Sequence, residues 1–344
     1  IALVIVVGAF YIDIENWTPF MPNGFGGVMG GVSAVFFAYI GFDAVSTLAE
    51  ESKNPQRDLP KGMIYSLVIC TVVFIVLALV ITGMVSYELL GVSDPLAEIF
   101  ALKGVKWMLF IVSIAAVVAM TSVLLVFQMG QPRIWMTMSR DGLMPKKFSE
   151  IHPKYKTPSF ATIVTGLVVG IPIFFTDENF VLDFTSIGTL FAFVLVCGGV
   201  LMLSPQSESE LAERETKGKF RIPYINSKFI FPLLVIIGTG LTVKYVPNFF
   251  IDIFDFSNEK MATNIPMLVF LLVCVVMMVL SFTKNLSLIP LLGLVSCCYL
   301  LTGMAVSNWM WFGCWLVIGL VFYFIYGYKN SKLNFTKQEE IIED

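Results

Sequence analysis

The sequence predicts an all-α integral membrane protein, and three observations carry that prediction. Hydrophobic residues make up 57% of the chain and charged residues 14%. Apolar runs repeatedly reach the roughly 20 residues that a spanning helix needs. Lys and Arg gather in alternate loops rather than evenly.

Taken in order, the apolar runs give about ten candidate spans: 1–14 (the tail of one), 28–50, 62–86, 107–131, 159–176, 183–203, 229–247, 265–283, 286–306 and 309–328. With sides alternating, all but four of the 22 basic residues fall on one side, in loops 51–61, 132–158 and 204–228, at Lys284 and in the C-terminal segment. Lys103, Lys106, Lys260 and Lys244 are the four on the other. The positive-inside rule places the basic loops in the cytoplasm, with Ile1 near the inner face and the C-terminus inside. Trp17, Trp107, Trp309 and Trp311 lie near span ends, where indole favours the interface.

The six cysteines all sit in apolar segments, where a free thiol behaves as a small hydrophobe and no disulfide framework is implied. Nucleic-acid binding has no support. The chain begins inside an apolar run without a charged leader, so the run is not read as a signal peptide, and an N-terminally truncated chain is expected.

The second span carries the chemistry. FFAYIGFDAVSTLAEESKNPQRDLP (36–60) begins as membrane core and ends as a polar loop, and its centre is Ile40, Gly41 and Phe42. Gly at that depth weakens a helix. If the helix breaks there, its first half ends in unsatisfied carbonyls and the negative end of its dipole. Irregular backbone persists at that depth only when buried in protein or lining a cavity. The carbonyls of Phe37, Ala38 and Ile40 would then be free to receive an ammonium group. Asp43 would cap the second half-helix, its carboxylate accepting the amides of Val45 or Ser46. Two plainer readings stand beside this one: Gly41 as a close-packing residue, and Asp43 as a buried acid paired with a Lys elsewhere. Glu50 and Glu51, at the cytoplasmic end, read as solvated or Lys-paired, and Pro55 and Pro60 as loop and helix-start residues.

Competing classes lack their machinery. The single histidine, His152, lies in a hydrophilic loop, no second central acid faces Asp43, and no His or Cys cluster has metal-ligand spacing. No cofactor and no metal are expected, and a membrane enzyme would need catalytic residues before Ile1. A channel would need a filter sequence, and none is present. The basic loop SRDGLMPKKF (139–148) lacks the glycine spacing of a P-loop and reads as contacts to the inner ends of helices.

The stretch 36–62 resembles the sixth membrane segment and following loop of the cationic amino acid transporter family, within the amino acid, polyamine and organocation superfamily. MTSVLLVFQMGQPRIWMTMSRDGLMPKKFSEIHPKYKTP (120–158) is similar to the eighth segment and its loop, and LDFTSIGTLFAFVLVCGGVLML (182–203) to the tenth. Four further spans would match the fourteen-helix members of that family.

The resemblance implies a LeuT-like fold of two inverted five-helix repeats with broken first helices. Residues 1–14 would end the first repeat and 28–203 form the second. A cytoplasmic linker (204–228), four C-terminal helices (229–328) and a cytoplasmic tail (329–344) would follow. It further implies that Phe37, Ala38 and Ile40 offer carbonyls to the substrate amine at the Gly41 break, that Phe42 is an aromatic lid, and that Met120 and Thr121 line the side-chain pocket. Ser186 and Thr189 would contribute weakly. A Lys thought to couple transport to protons would lie at or before Ile1. The expected function is an amino acid permease of the plasma or inner membrane, working by proton-coupled alternating access, with a free amino acid, a proton and membrane lipid as its partners. Because Phe42 and Met120 are apolar, small neutral amino acids are favoured, with cationic amino acids or polyamines as the alternative.

Overall fold

A computed structural model describes residues 1–92, 94–203, 224–246, 249–254 and 261–332, with backbone alone at 47–51, 252 and 261–263. Among the described residues the chain is helical, and the one β-type pairing is an isolated bridge between Asn226 and Ser287. Arg214, Lys217, Lys219, Arg221, Lys260, Lys337 and the side chains of Glu50 and Glu51 lie outside the described residues.

Among the described residues, each of the ten apolar runs contains helix, but only some of these helices are of spanning length. Six pieces are long and apolar enough to cross a membrane: Gly24–Ser46, Pro55–Met84, Lys106–Arg140, Glu178–Met202, Asn264–Thr283 and Val306–Asn330. Three are shorter, Ser159–Phe174, Ile230–Tyr245 and Leu288–Thr302. Local chemistry ends two of them. Pro172, which lacks an amide, turns the first into a 3-10 turn over Pro172–Phe174, and Gly303 caps the third. The tenth, α1 (Ala2–Ala9), has eight residues.

The chain divides into two compact units. The first comprises Ile1–Pro22, Gly41–Phe175 and Leu320–Asp344. Here α1 lies on α3 (Pro55–Met84), where Gly8 admits the side chains of Val80 and Met84. A short helix, α4 (Pro95–Leu102), and the start of α5 (Lys106–Arg140) complete a core of Val4, Met84, Phe100 and Met108. Gln128 of α5 donates to the Thr162 carbonyl of α6 (Ser159–Gly170) at 3.1 Å. At the end of α5, Ser139 donates to the Pro145 carbonyl at 2.8 Å, and Trp135, Phe148 and Phe160 stack edge to face. The SRDGLM turn also receives the end of the last helix. Gly142, at φ +84°, abuts the Asn330 carbonyl, and the Lys332 amide donates to the Asp141 carbonyl at 3.1 Å. A side chain at 142 would strike that backbone, so the turn requires glycine for space as well as for its dihedral.

The second unit comprises Asn23–Ile40 and Thr176–Gly319. It contains α2 (Gly24–Val35), α7 (Glu178–Met202), α8 (Ile230–Tyr245), α9 (Phe249–Ile253), α10 (Met261–Thr283), α11 (Leu288–Thr302) and most of α12 (Val306–Phe322). The glycine-rich GFGGVMGG (24–31) forms the first two turns of α2. Helices α7 and α11 run together closely enough that a β-carbon on Gly293 would lie 3.0 Å from the Cys197 sulfur. Two apolar clusters fill the unit. One joins Leu201, Phe231, Leu288 and Leu291; the other joins Ile187, Leu190, Leu301, Met304 and Phe312. Buried Ser227 and Ser281 satisfy each other at 2.8 Å.

Candidate functional site

The break expected at the centre of the second span is present. Helix α2 tightens into a 3-10 turn over Phe36–Tyr39, whose last bond runs from the Ile40 amide to the Phe37 carbonyl at 3.1 Å. Ile40 is extended (φ −62°, ψ 132°), and Gly41 follows at φ +117°, a conformation closed to ordinary side chains. The chain then re-enters a helix of 3-10 type over Phe42–Glu51. The Phe37 carbonyl is thus engaged. Among the described residues, no hydrogen bond outside the helices ends on the carbonyl of Ala38 or Ile40.

Asp43 caps the restart differently from the sequence expectation. The first bond of the new helix runs from the Ala44 amide to the Gly41 carbonyl at 3.1 Å, which makes Gly41 the capping residue and places Asp43 inside the first turn. Its carboxylate turns back to accept the Gly41 amide at 3.3 Å and does not reach Val45 or Ser46. The physical reason is reach: from inside the turn, a short side chain faces the amide left unpaired at the break, as the inner acid of a capping box does. The carboxylate also sits where the positive end of the half-helix dipole favours it. Ser46 donates its hydroxyl to the Asp43 carbonyl at 2.6 Å.

In the first unit, α5 packs against the restarted helix, and a β-carbon on Gly41 would stand 3.7 Å from Phe127 Cζ. Met120 precedes Phe127 by seven residues, two helical turns, so it lies on the same face about 10.5 Å further along the axis. Met120 is 63% exposed. Thr121 and Ser122 donate their hydroxyls to the carbonyls of Val117 (2.8 Å) and Val118 (3.0 Å), so each is satisfied within α5. In the second unit, Ser186 is buried and its hydroxyl goes to the Leu182 carbonyl at 2.9 Å, while Thr189 bonds Thr185 in the same way. The predicted residues therefore divide between the units. Gly41, Phe42, Asp43, Met120 and Thr121 belong to the first; Phe37, Ala38, Ile40 and Ser186 belong to the second.

Three residues that contact these segments were not singled out from the sequence. Phe127, the ring against Gly41, is signalled by its two-turn spacing from Met120. Phe36 packs on the Ile187 and Leu190 cluster and meets Phe193 edge to face at 6.4 Å. Asp183, a carboxylate within an apolar run, accepts a hydrogen bond from Asn308 at 2.8 Å. His152 Nδ1 accepts the amides of Lys154 (3.2 Å) and Tyr155 (3.4 Å), and so serves its own loop. Among the described residues, no group of His, Cys, Asp and Glu is placed to hold a metal ion.

Comparison with known proteins identifies the family. Residues 1–271 match the family described as "Amino acid permease", and residues 286–331 match "C-terminus of AA_permease". The branched-chain amino acid permease BcaP of Bacillus subtilis (strain 168) is 33% identical over 335 residues, covering 97% of this chain and 58% of that protein. The methylthioribose transporter of the same organism is 39% identical over 248 residues, covering 72% of this chain and 51% of the relative. Cationic amino acid transporter 9, chloroplastic, of Arabidopsis thaliana is 41% identical over 218 residues, covering 63% of this chain and 38% of the relative. The chain spans little more than half the length of the first two of these relatives. With its apolar helices and this match over most of its length, the chain is a multi-pass membrane protein that belongs to the amino acid permease family.

Proposed function

We propose that the protein is an amino acid permease of the cell membrane that works by alternating access on a LeuT-like frame and imports small neutral amino acids with a proton. The observation that carries this reading is the helix break: Gly41 at φ +117° ends the first half-helix, and among the described residues no hydrogen bond from outside the helices ends on the carbonyls of Ala38 and Ile40. Two such oxygens at the negative end of a helix dipole form a cradle for an ammonium group and repel a carboxylate. The substrate amine would sit on the carbonyls of Ala38 and Ile40, next to the Phe37 carbonyl that the Ile40 amide engages, and the family resemblance implies Phe42 as the aromatic cover. The family resemblance implies that Met120 and Thr121 line the side-chain pocket and that Ser186 contributes weakly. An apolar Met120 and Phe42 favour an uncharged side chain, and the relative named for branched-chain amino acids supports that preference. Proton coupling rests on the family resemblance.

The relatives named for cationic amino acids and for methylthioribose define the competing outcomes. The test is uptake of labelled L-alanine by liposomes holding the full-length gene product, with and without an inward proton gradient, challenged with unlabelled valine, arginine, putrescine and methylthioribose. Gradient-stimulated alanine uptake blocked by valine and indifferent to arginine is expected. Gradient-independent arginine uptake would retain the permease and overturn the substrate and the coupling. A folded protein that moves none of these compounds would overturn the functional reading.

A further inference from the structure

We infer that Asn308, on the last membrane helix, is a positioning residue for the substrate-binding half-helix, acting through Asp183. The inference rests on the reading that the Phe36–Ile40 segment binds substrate. All the groups involved lie in the second compact unit.

Asn308 is buried, with 4% of its surface exposed, and its side-chain amide donates to the Asp183 carboxylate at 2.8 Å. Asp183 lies on α7, and Ile187 and Leu190 follow it at the four- and seven-residue spacings that keep one helix face. That face meets Leu301 and Met304 at the end of α11 and Phe312 of α12, and Ile187 and Leu190 have no exposed surface. Phe36, the first residue of the turn that leads into the break, packs against this cluster. A second contact holds the same half-helix: a β-carbon on Gly303, which caps α11, would strike Ser33 of α2. Two aromatic pairs flank the polar one between α7 and α12, Phe180 with Trp311 at 6.1 Å and Phe191 with Phe312 at 5.1 Å.

Apolar packing is nondirectional and tolerates rotation of one helix against another. A hydrogen bond from a buried amide to a carboxylate does not, because its loss strands the Asn308 amide away from water. The Asn308–Asp183 bond therefore fixes the rotation of α7. That rotation sets the surface on which Phe36 rests, and so the direction in which the carbonyls of Ala38 and Ile40 point. Asn308 reaches the substrate through this chain of contacts and touches no substrate itself. The assignment also gives the C-terminal helices a function in the transport site.

The experiment uses the full-length gene product in nanodiscs, with two readouts. One is equilibrium binding of labelled L-alanine. The other is the rate of maleimide labelling of an Ala38→Cys variant, followed by peptide mass spectrometry and independent of any substrate. Asn308→Asp sets two acids against each other and is expected to weaken alanine binding at least tenfold and to change labelling at position 38 at least threefold. The exchange Asp183→Asn with Asn308→Asp re-forms a donor–acceptor pair and is expected to return both readouts to within twofold of the parent. General destabilisation would lower the unfolding temperature without moving the labelling rate far below it. If Asn308→Asp does not fold, Asn308→Ala, which removes the donor without adding charge, is read in the same way. Unchanged labelling in the folded variant, or an exchange that fails to restore it, overturns the inference. A parent that binds no alanine while labelling changes and recovers as expected would sink the substrate reading and leave the positioning role standing.

Discussion

Replacing Gly41 by alanine tests the break itself. The residue sits at φ +117°, where an L side chain is strained regardless of space. Its nearest neighbour, Phe127 Cζ, would lie 3.7 Å from the new β-carbon, an ordinary van der Waals distance, so the ring adds no appreciable penalty. The cost is then one of backbone alone, about 1–3 kcal/mol for a side chain held in a sparsely populated region. Alanine also favours continuing the helix by about 1 kcal/mol over glycine, which moves the equilibrium the same way, toward an unbroken segment. Of this combined bias, about 1–2 kcal/mol directed against the broken form lowers the ratio of broken to unbroken segment about 5- to 30-fold. Apparent affinity falls with the fraction of binding-competent protein, so L-alanine should bind more weakly, by about 5- to 30-fold at most. Binding is measured on purified full-length protein, with monodispersity on gel filtration as the check of folding. Adding Phe127→Ala in the same background should not restore affinity, because the ring is not the source of the cost. Parent-like binding by Gly41→Ala, or rescue by Phe127→Ala, would refute the argument that glycine is required here for its dihedral.

Two more outcomes follow from the same geometry. Met120 is largely exposed and packs little, so Met120→Ala should change stability by no more than about 0.5 kcal/mol, while competition assays show larger neutral side chains gaining relative to alanine; an unchanged substrate ranking would remove Met120 from the pocket. Gly142→Ala combines a positive dihedral with collision against the Asn330 backbone, and a loss of about 2–3 kcal/mol is expected. It should be read as a lower unfolding temperature and faster tryptic cleavage after Lys329 and Lys332, and a variant that matches the parent in both would show that the loop does not hold the end of the last helix.

Much of the second span was legible as a sequence because its signals are local. A glycine followed by an acid at the centre of an apolar run predicts a break and a charge at the restart, and both are present. The identity of the cap was not legible. Whether Asp43 stands before the first turn or inside it depends on where the new helix begins, and that is decided by the Ala44 to Gly41 bond. The hydroxyls of Thr121 and Ser186, which the family resemblance assigns to the substrate site, each donate to a carbonyl one turn back on their own helix, a detail the sequence does not show. Asn308 gave no signal at all, since an amide in the first turn of a span has many possible partners. Only the packing of α12 on α7 selects Asp183 among them.

The sequence by itself determined that this is a helical membrane protein, where its apolar segments lie, and which of them breaks. Each depends on composition, periodicity or a few neighbouring residues, and the bilayer's demand that backbone groups be satisfied internally makes these local signals sufficient. Tertiary structure alone decided that Phe127 faces Gly41, that Gly142 receives the end of the last helix, and that Asn308 reaches Asp183 across 125 residues. Hydropathy sets which residues leave water, but it is indifferent to which buried neighbour each one meets; close packing and hydrogen-bond direction make that choice.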